Sequence, residues 1–251
     1  MIKLKSKQEL QAMREAGKIV AGALIELGEA VREGVTTAEL DKRAESFIRK
    51  HKAEPAFLGY HNFPASICTS VNDEVVHGIP SLRKLKEGDI ISIDVGVCYR
   101  GYFGDAAITF PVGDISATAD KLVTVTRGSL DEAIGIMKSG SRLSDLSHAV
   151  QKYVEANSFS VVRNYVGHGI GSEMHEEPQV PNFGLPGRGP LLQSGIVLAL
   201  EPMVNAGSWE VKVLDDQWTV VTADGSLSAH FEHTVALTDN GPEILTTTGS
   251  N

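Results

Sequence analysis

The stretch from Ile91 to Asp105, ISIDVGVCYRGYFGD, decides how we expect the chain to fold. Apolar residues alternate with small or polar residues along its first half, which is the period-two pattern of a β-strand. An aromatic return segment follows, so the stretch predicts a β-hairpin. A turn centred on Tyr99 and Arg100 would place Asp94 directly opposite Asp105. Opposed carboxylates destabilise a sheet, so the pair indicates a cation or a shared proton, unless both groups are solvated on an exposed face.

Length, composition and charge limit the functions that the chain can have. It has 251 residues, 42% of them hydrophobic, which suffices for one large core, and we expect a single domain over residues 1–251. With 23 basic against 32 acidic residues, the net charge of −9 argues against DNA as a partner and fits cation binding. Two cysteines without CxxC spacing, and no long apolar run, predict a cytoplasmic protein with no signal peptide and no membrane partner.

The chain repeats its own plan, which predicts two similar halves at roughly residues 6–112 and 116–246. Each half has two helical patterns, a His-Gly step and a strand that carries a carboxylate. If the repeat is more than chance, the acidic strands of the two halves meet. Matching glycines lie six residues before equivalent positions, at Gly34 and Leu40, Gly140 and Leu146, Gly88 and Asp94, and Gly195 and Glu201.

Two pairs of polar residues mark the predicted helix starts of the first half. Ser6 with Glu9, and Thr36 with Glu39, have the spacing of a capping box, in which side chains satisfy free backbone N–H groups. A long amphipathic helix is therefore expected to begin at the first pair and a shorter helix at the second. At the other end of the chain, residues 246–251 read TTTGSN and are predicted to form a disordered tail.

Four carboxylates and one imidazole form the predicted metal site. They belong to Asp94, Asp105, Glu201, Glu232 and His168. Hard oxygen ligands with a single imidazole suit Mn, Fe or Co and differ from a cysteine-rich structural zinc site. Four carboxylates around one cation would be overcharged, so we expect two divalent cations about 3.5–4 Å apart with carboxylates between them.

Short motifs spread along the chain resemble those of one known family. They are VVHGIP (75–80), IDV (93–95), GD (104–105), GHGIG (167–171), HEEP (175–178), EPM (201–203) and EHT (232–234). As a set they are similar to the motifs of type I methionine aminopeptidases in the bacterial, unextended form, from about residue 3 to residue 246. The resemblance implies an α/β (α+β) pita-bread fold, in which two pseudo-symmetric halves pack helices on a curved, mainly antiparallel sheet.

The resemblance implies a metallopeptidase that removes N-terminal methionine from peptides and nascent proteins with a small second residue. The attacking water would bridge two divalent metal ions, which could be Co, Mn, Fe, Zn or Ni. Asp105 and Glu232 would bridge the two ions, and Asp94 would complete one site. His168 and Glu201 would complete the other site, and Glu201 would also act as general base.

Two further histidines have roles implied by the same resemblance, and we expect the enzyme to act as a monomer. His175 would polarise the scissile carbonyl and stabilise the oxyanion, and His77 would contact the substrate near the scissile nitrogen. The remaining histidines lack ligand spacing with one another, which favours surface or packing roles. They are His51, His61, His148, His230 and His233.

The irregular segment 53–72 predicts the lining of a pocket. It combines aromatic residues, a cysteine and two prolines, which is unusual for a solvated connection. The resemblance implies that the methionine side chain binds there, because aromatic rings and sulfur favour contact with a thioether. The residues at the matching positions are Tyr60, Phe63, Cys68 and Trp218, with Phe57 beside them.

The sequence departs from the family's pattern at three positions. Phe57 stands where a small or sulfur-bearing residue is expected, and Met174 stands where an aromatic residue is common just before the histidine. Gly96 replaces a hydroxyl-bearing residue that many relatives have. These differences concern the depth and shape of the pocket and the surroundings of Asp94.

Two other functions stay open from the sequence. A Xaa-Pro aminopeptidase of the same fold shares the five ligands, although such relatives usually carry an additional N-terminal domain. A non-catalytic binding protein on this scaffold is the other alternative, but such a protein would have no need of the complete ligand set.

One compact basic group bears on possible partners. Arg83, Lys84 and Lys86 lie near the inferred active-site face, so we expect at most a weak, salt-dependent ribosome contact there. The loop 207–225 is a poor candidate for such a contact, because it has one basic residue, Lys212, against four acidic residues. A solvated turn without any partner is the alternative.

Overall fold

The structure is a computed structural model that describes residues 2–248. Of the predicted disordered tail, residues 249–251 lie outside the described part of the chain. The prediction is wrong for Thr246, which is buried and has its Oγ1 2.8 Å from Nδ1 of His233. Within residues 2–248, every helix is too short or too polar to span a bilayer.

Helices and short strands follow one another in two successive groups. The helices are α1 (Lys7–Ala30), α2 (Thr37–Lys50), α3 (Ala117–Ile136) and α4 (Leu143–Ala156), with a 3₁₀ turn at Tyr60–Asn62. The strands of the first group are β1 (Glu54–Pro55), β2 (Cys68–Val71), β3 (Glu74–Val76), β4 (Ile90–Tyr99) and β5 (Tyr102–Pro111). Those of the second are β6 (Ser160–Val161), β7 (Gly167–Gly169), β8 (Glu176–Val180), β9 (Val197–Leu200), β10 (Met203–Asn205), β11 (Val211–Val213), β12 (Val220–Thr222), β13 (Ser228–His230), β14 (His233–Thr238) and β15 (Gly241–Ile244).

The first two helices begin where the capping boxes predict. At α1, the Glu9 carboxylate accepts from the N–H of Ser6 at 2.8 Å, and the Ser6 hydroxyl accepts from the N–H of Glu9 at 3.3 Å. Thr36 and Glu39 make the same reciprocal pair at α2, at 2.8 and 3.2 Å. The capping prediction is therefore confirmed, because both contacts lie within three residues and depend on nothing distant.

The hairpin of β4 and β5 closes one residue later than predicted. Arg100 and Gly101 occupy the turn with φ of 52° and 79°, the backbone of a two-residue turn that matches strand twist. Asp105 therefore faces Gly96 and not Asp94. The prediction of directly opposed aspartates is wrong. The two carboxylates instead lie diagonally on one face of the hairpin, which still leaves them neighbours.

Both halves use the same turn to return a helix pair to its sheet. The N–H of Gly34 donates to the carbonyl oxygen of Leu85 at 2.8 Å, and that of Gly140 donates to Leu192 at 3.0 Å. The φ values of the two glycines are 85° and 89°, a conformation that other residues adopt only with strain. The halves thus share a turn, whereas their limits and the single domain stay predictions.

Each helix pair covers one group of antiparallel strands. One buried apolar cluster joins α1 and α2 to β4 and β5, and another joins α3 and α4 to β9, β10, β13 and β14. The first group has the order β1-β4-β2 with β5 beside β4, and the longest sheet of the second group has the order β15-β14-β9-β7-β8. The mixed fold with antiparallel sheets is therefore the predicted one, and the two groups meet at β5 and β14.

Candidate metal centre and substrate cavity

Strand β5 lies beside the segment that joins β13 to β14, so the two halves meet along a seam. Ala107 and Glu232 exchange backbone hydrogen bonds of 3.3 and 2.9 Å. Next to this pair, the hydroxyl of Thr234 accepts from the N–H of Asp105 at 2.9 Å and donates to its carbonyl oxygen at 2.8 Å. Since Asp94 faces Ala107 across the hairpin, the seam brings three of the predicted ligands together.

His168 and Glu201 come from neighbouring strands of the second half. His168 lies in β7, which pairs with β9, and Glu201 follows directly after β9. The Nδ1–H of His168 donates to the carbonyl oxygen of Gly169 at 2.9 Å, which leaves the Nε2 lone pair available to a metal. Nε2 lies 3.5 Å from Oε1 of Glu201. Burial lowers the pKa of His168 to about 4, so the ring is neutral at pH 7.

The five predicted ligands converge on one cavity. Donor atoms of Asp105, His168 and Glu232 lie within 4.8 Å of one another, and Asp94 and Glu201 line the same cavity. Among the described residues, Oδ1 of Asp94, Oδ1 of Asp105 and Oε1 of Glu232 are buried without a hydrogen-bond partner. Buried polar atoms without partners are costly, so these oxygens have the arrangement of cation ligands.

The carboxylates of the centre repel one another. Burial raises the pKa of Asp94 to about 7. It also raises the pKa values of Asp105, Glu201 and Glu232 well above their usual range, and the neighbouring carboxylates add to the effect. Within the described part of the chain, neither Lys nor Arg lines the cavity to compensate this charge. A divalent metal ion would compensate the charge of the carboxylates, and the donor set therefore fits such an ion.

The metal-free protein should lose stability as the pH rises through neutrality. The pKa of Asp94 is raised from 3.8 to about 7 in the fold, so its contribution to stability is full below pH 3.8 and is lost by about pH 7. Buried histidines such as His168, whose pKa values are lowered from 6.5, change the pH dependence of stability only below that pH. Because the pKa values of Asp105, Glu201 and Glu232 are also raised well above their usual range, thermal melts with chelator should show a Tm that keeps falling between about pH 6.5 and 8.5.

Two comparisons test this pH dependence. Adding Mn²⁺ should raise the Tm more at the upper end of the pH range, because the ionised carboxylates bind it. Asp94→Asn should flatten the metal-free profile, since it removes one of the repelling charges. A metal-free Tm that stays constant or rises over this range would contradict the account of the carboxylates.

The cavity over the carboxylates has a volume of about 450 Å³ and one apolar wall. Phe57, Phe63 and Cys68 form this wall and belong to a buried cluster that also contains Met174. His61 also borders the cavity, a position that the sequence does not predict because this histidine lacks ligand spacing. Besides the five ligands, the lining consists of Phe57, Tyr60, His61, Phe63, Cys68, His77, His175 and Trp218.

His175 lines the same cavity, beside the predicted ligand His168. Its ring centroid is 4.2 Å from that of His168. The Tyr60 hydroxyl lies 2.7 Å from Nδ1 of His175, and burial raises the pKa of Tyr60, which keeps that hydroxyl protonated and able to donate. When the hydroxyl donates to Nδ1, the His175 proton lies on Nε2. Burial lowers the pKa values of His175 and of His77, the latter to about 4, so both rings are neutral.

Fold and site together define a metallopeptidase, and comparison with known proteins agrees. Residues 11–239 match metallopeptidase family M24, and the chain belongs to this family. A methionine aminopeptidase from Clostridium perfringens is 59% identical over 246 residues, which cover 98% of this chain and 99% of that protein. The crystal structure of a methionine aminopeptidase from Thermotoga maritima superposes on this fold with a TM-score of 0.97, at 49% sequence identity. The match covers 98% of this chain and 100% of that one.

A proline-directed relative is more distant. An X-Pro aminopeptidase from Thermotoga maritima has a TM-score of 0.77 at 23% identity. The match covers 99% of this chain but 63% of that one. This likeness concerns the fold alone. The predicted pita-bread metallopeptidase fold is confirmed, and the methionine-specific relatives are the nearer ones.

Proposed function

We infer that this chain is a methionine aminopeptidase, which hydrolyses the peptide bond after an N-terminal methionine. The observation that carries the proposal is one cavity of about 450 Å³ that joins an apolar, sulfur-containing wall to the carboxylate centre. A thioether side chain suits the wall, because polarisable sulfur packs well against aromatic rings. The scissile bond then reaches the carboxylates and His168. The substrates are the N-termini of peptides and nascent proteins, with a small second residue.

We propose that the centre holds two divalent ions, chosen from Co, Mn, Fe, Zn or Ni. Asp94, Asp105, Glu201, Glu232 and His168 would hold them. Two divalent charges balance four ionised carboxylates, whereas one divalent ion leaves an excess of negative charge in a buried site. When bound, such ions polarise the scissile carbonyl and lower the pKa of a water molecule.

The protein's own groups move the protons. Glu201 accepts the proton of the attacking water. Its side chain lines the cavity and is slightly exposed, which supports this role. His175 donates a hydrogen bond from Nε2–H to the carbonyl oxygen as negative charge develops there. The hydrogen bond between Tyr60 and Nδ1 supports this role, because a hydroxyl that donates to Nδ1 leaves the ring proton on Nε2. His77 contacts the substrate near the scissile nitrogen.

A second cavity supports removal of a single residue. It has a volume of about 430 Å³ and shares His168 and His175 with the first. Its other walls include Lys3, Glu173 and Glu177. The polar second cavity suits the peptide beyond the scissile bond, whereas the apolar first cavity suits one side chain. Two unlike cavities that share these histidines fit an exopeptidase.

The Xaa-Pro aminopeptidase remains the alternative, and substrate choice separates the two. The methionyl peptide Met-Ala-Ser should be cleaved with metal, and Xaa-Pro peptides should not. A non-catalytic binding protein would cleave neither peptide. Preference for Xaa-Pro peptides would overturn the proposal.

We further propose a monomer that binds ribosomes weakly and only at low salt. Its exposed basic group is smaller than the sequence indicates, because Nη1 of Arg83 lies 2.8 Å from Oε1 of Glu74. Lys84 and Lys86 are exposed and supply the remaining charge. Few cations imply few neutralised phosphates and hence weak binding that salt abolishes.

Co-sedimentation with ribosomes at low and moderate salt tests this contact. Changing Arg83, Lys84 and Lys86 together to Ala should abolish the low-salt binding. A matched control changes three exposed basic residues at the end of α2 to Ala, where one arginine is likewise paired with a carboxylate; they are Arg49, Lys50 and Lys52. Salt-insensitive binding, or equal loss in both variants, would refute the contact.

A further inference from the structure

We propose that Gly96 is a specificity-determining residue, because its missing side chain leaves the space in which the Phe57 ring forms a wall of the methionine cavity. The proposal rests on the proposed aminopeptidase function and concerns the same site. Gly96 lies in β4, opposite Asp105 and two residues after Asp94. It is thus part of the strand that carries one ligand and faces another.

The contacts at Gly96 leave no room for a side chain. A Cβ there would lie 2.5 Å from Cε1 and 3.0 Å from Cζ of Phe57, and 3.0 Å from Cε of Met174. Carbon atoms pack at about 3.5–4.0 Å, so at least one neighbour would have to move. The φ of Gly96 lies outside the left-handed region, and packing, not backbone strain, therefore accounts for glycine here.

The surroundings of Phe57 decide where its ring would go. Its backbone is held against β4, because β1 pairs with β4 and the N–H of Ala56 donates to the carbonyl oxygen of Gly96 at 2.9 Å. The ring itself packs in the cluster with Phe63, Cys68 and Met174 and borders the cavity. A methyl group on residue 96 would therefore push the ring toward the open cavity. The cavity would become narrower for the substrate side chain.

This arrangement joins the three departures from the family's pattern into one contact group. Phe57 and Met174 both touch the position of Gly96, so the two large side chains depend on the small one. The residues at positions 57, 96 and 174 then set the shape of the cavity together. A bulkier residue at position 96 requires a smaller residue at position 57 to restore the same space.

The test compares Gly96→Ala, Phe57→Ala and the double variant, with Gly135→Ala as control. Gly135 has open space where its Cβ would lie, so this change should leave the kinetics unaltered. Gly96→Ala should raise KM for Met-Ala-Ser at least about tenfold while kcat changes less than about threefold. The KM for the ethionyl peptide, one methylene longer, should rise further. In the Phe57→Ala background, Gly96→Ala should change KM less than about twofold, which shows coupling.

Several results would overturn the proposal. An unchanged KM and an unchanged methionyl-to-ethionyl ratio in Gly96→Ala would do so, as would an equal effect of Gly96→Ala with and without Phe57→Ala. If Gly96→Ala does not fold, the double variant decides. Its folding, with the KM of Phe57→Ala, supports the proposal, and its failure to fold places the clash elsewhere.

Failure of the proposed function would look different. The wild-type protein itself would then leave methionyl peptides uncleaved. A crystal structure of Gly96→Ala does not depend on activity, and it should show the Phe57 ring displaced into the cavity. An undisplaced ring would refute the inference by itself.

Discussion

Glu201→Gln should reduce turnover by about 10² to 10⁴ while the fold stays intact, the range expected for a lost general base. The substitution keeps the shape of the side chain and removes its capacity to accept a proton from water. It also removes one of four mutually repelling carboxylates, each with a raised pKa. The metal-free variant should therefore melt no lower than the wild-type protein.

Metal content separates the two roles of Glu201, because this residue is also a proposed ligand. Turnover should be measured with saturating metal and with bound metal quantified. Glu33→Gln is a matched control, since Glu33 is an exposed carboxylate in the connection between α1 and α2. Near-normal turnover of Glu201→Gln with metal bound would remove this residue from the role of base.

His175→Ala should lower kcat by about 10² or more, with a smaller effect on KM, because its Nε2–H acts mainly on the charge that develops in the transition state. Tyr60→Phe keeps the ring in the cavity wall and removes only the hydroxyl bonded to Nδ1 at 2.7 Å. It should lower kcat in the same direction but less. A change confined to KM in His175→Ala would contradict the assignment.

Features that depend on short-range chemistry could be predicted from the sequence. The capping boxes at Ser6 and Thr36 need partners only three residues away. The motifs likewise predict ligands, because a metal site requires particular side chains, and the structure brings the five predicted side chains to one cavity. Convergence of the acidic strands follows from the repeat, and the structure shows the seam between Asp105 and Thr234 that achieves it.

Features that depend on backbone geometry or on distant contacts could not be predicted from the sequence. The predicted hairpin turn lies one residue too early, because Arg100 adopts a positive φ, which arginine rarely does. Gly101, the glycine after it, is the better signal of the turn position. The bond between Tyr60 and His175 joins residues 115 positions apart, so no local pattern shows it. Likewise, the contact of Gly96 with Phe57 depends on how β1 meets β4.

The most direct test of the metal-dependent aminopeptidase is an assay of the metal-stripped protein with Met-Ala-Ser and with an Xaa-Pro peptide, each metal being added back without oxygen. We expect no cleavage with chelator and release of free methionine from Met-Ala-Ser when a divalent metal returns, because Asp94, Asp105 and Glu232 each have one buried oxygen without a hydrogen-bond partner. The Xaa-Pro peptide should stay intact. Cleavage of Met-Ala-Ser that persists in chelator, or that never appears with any of Co, Mn, Fe, Zn or Ni, would contradict the account.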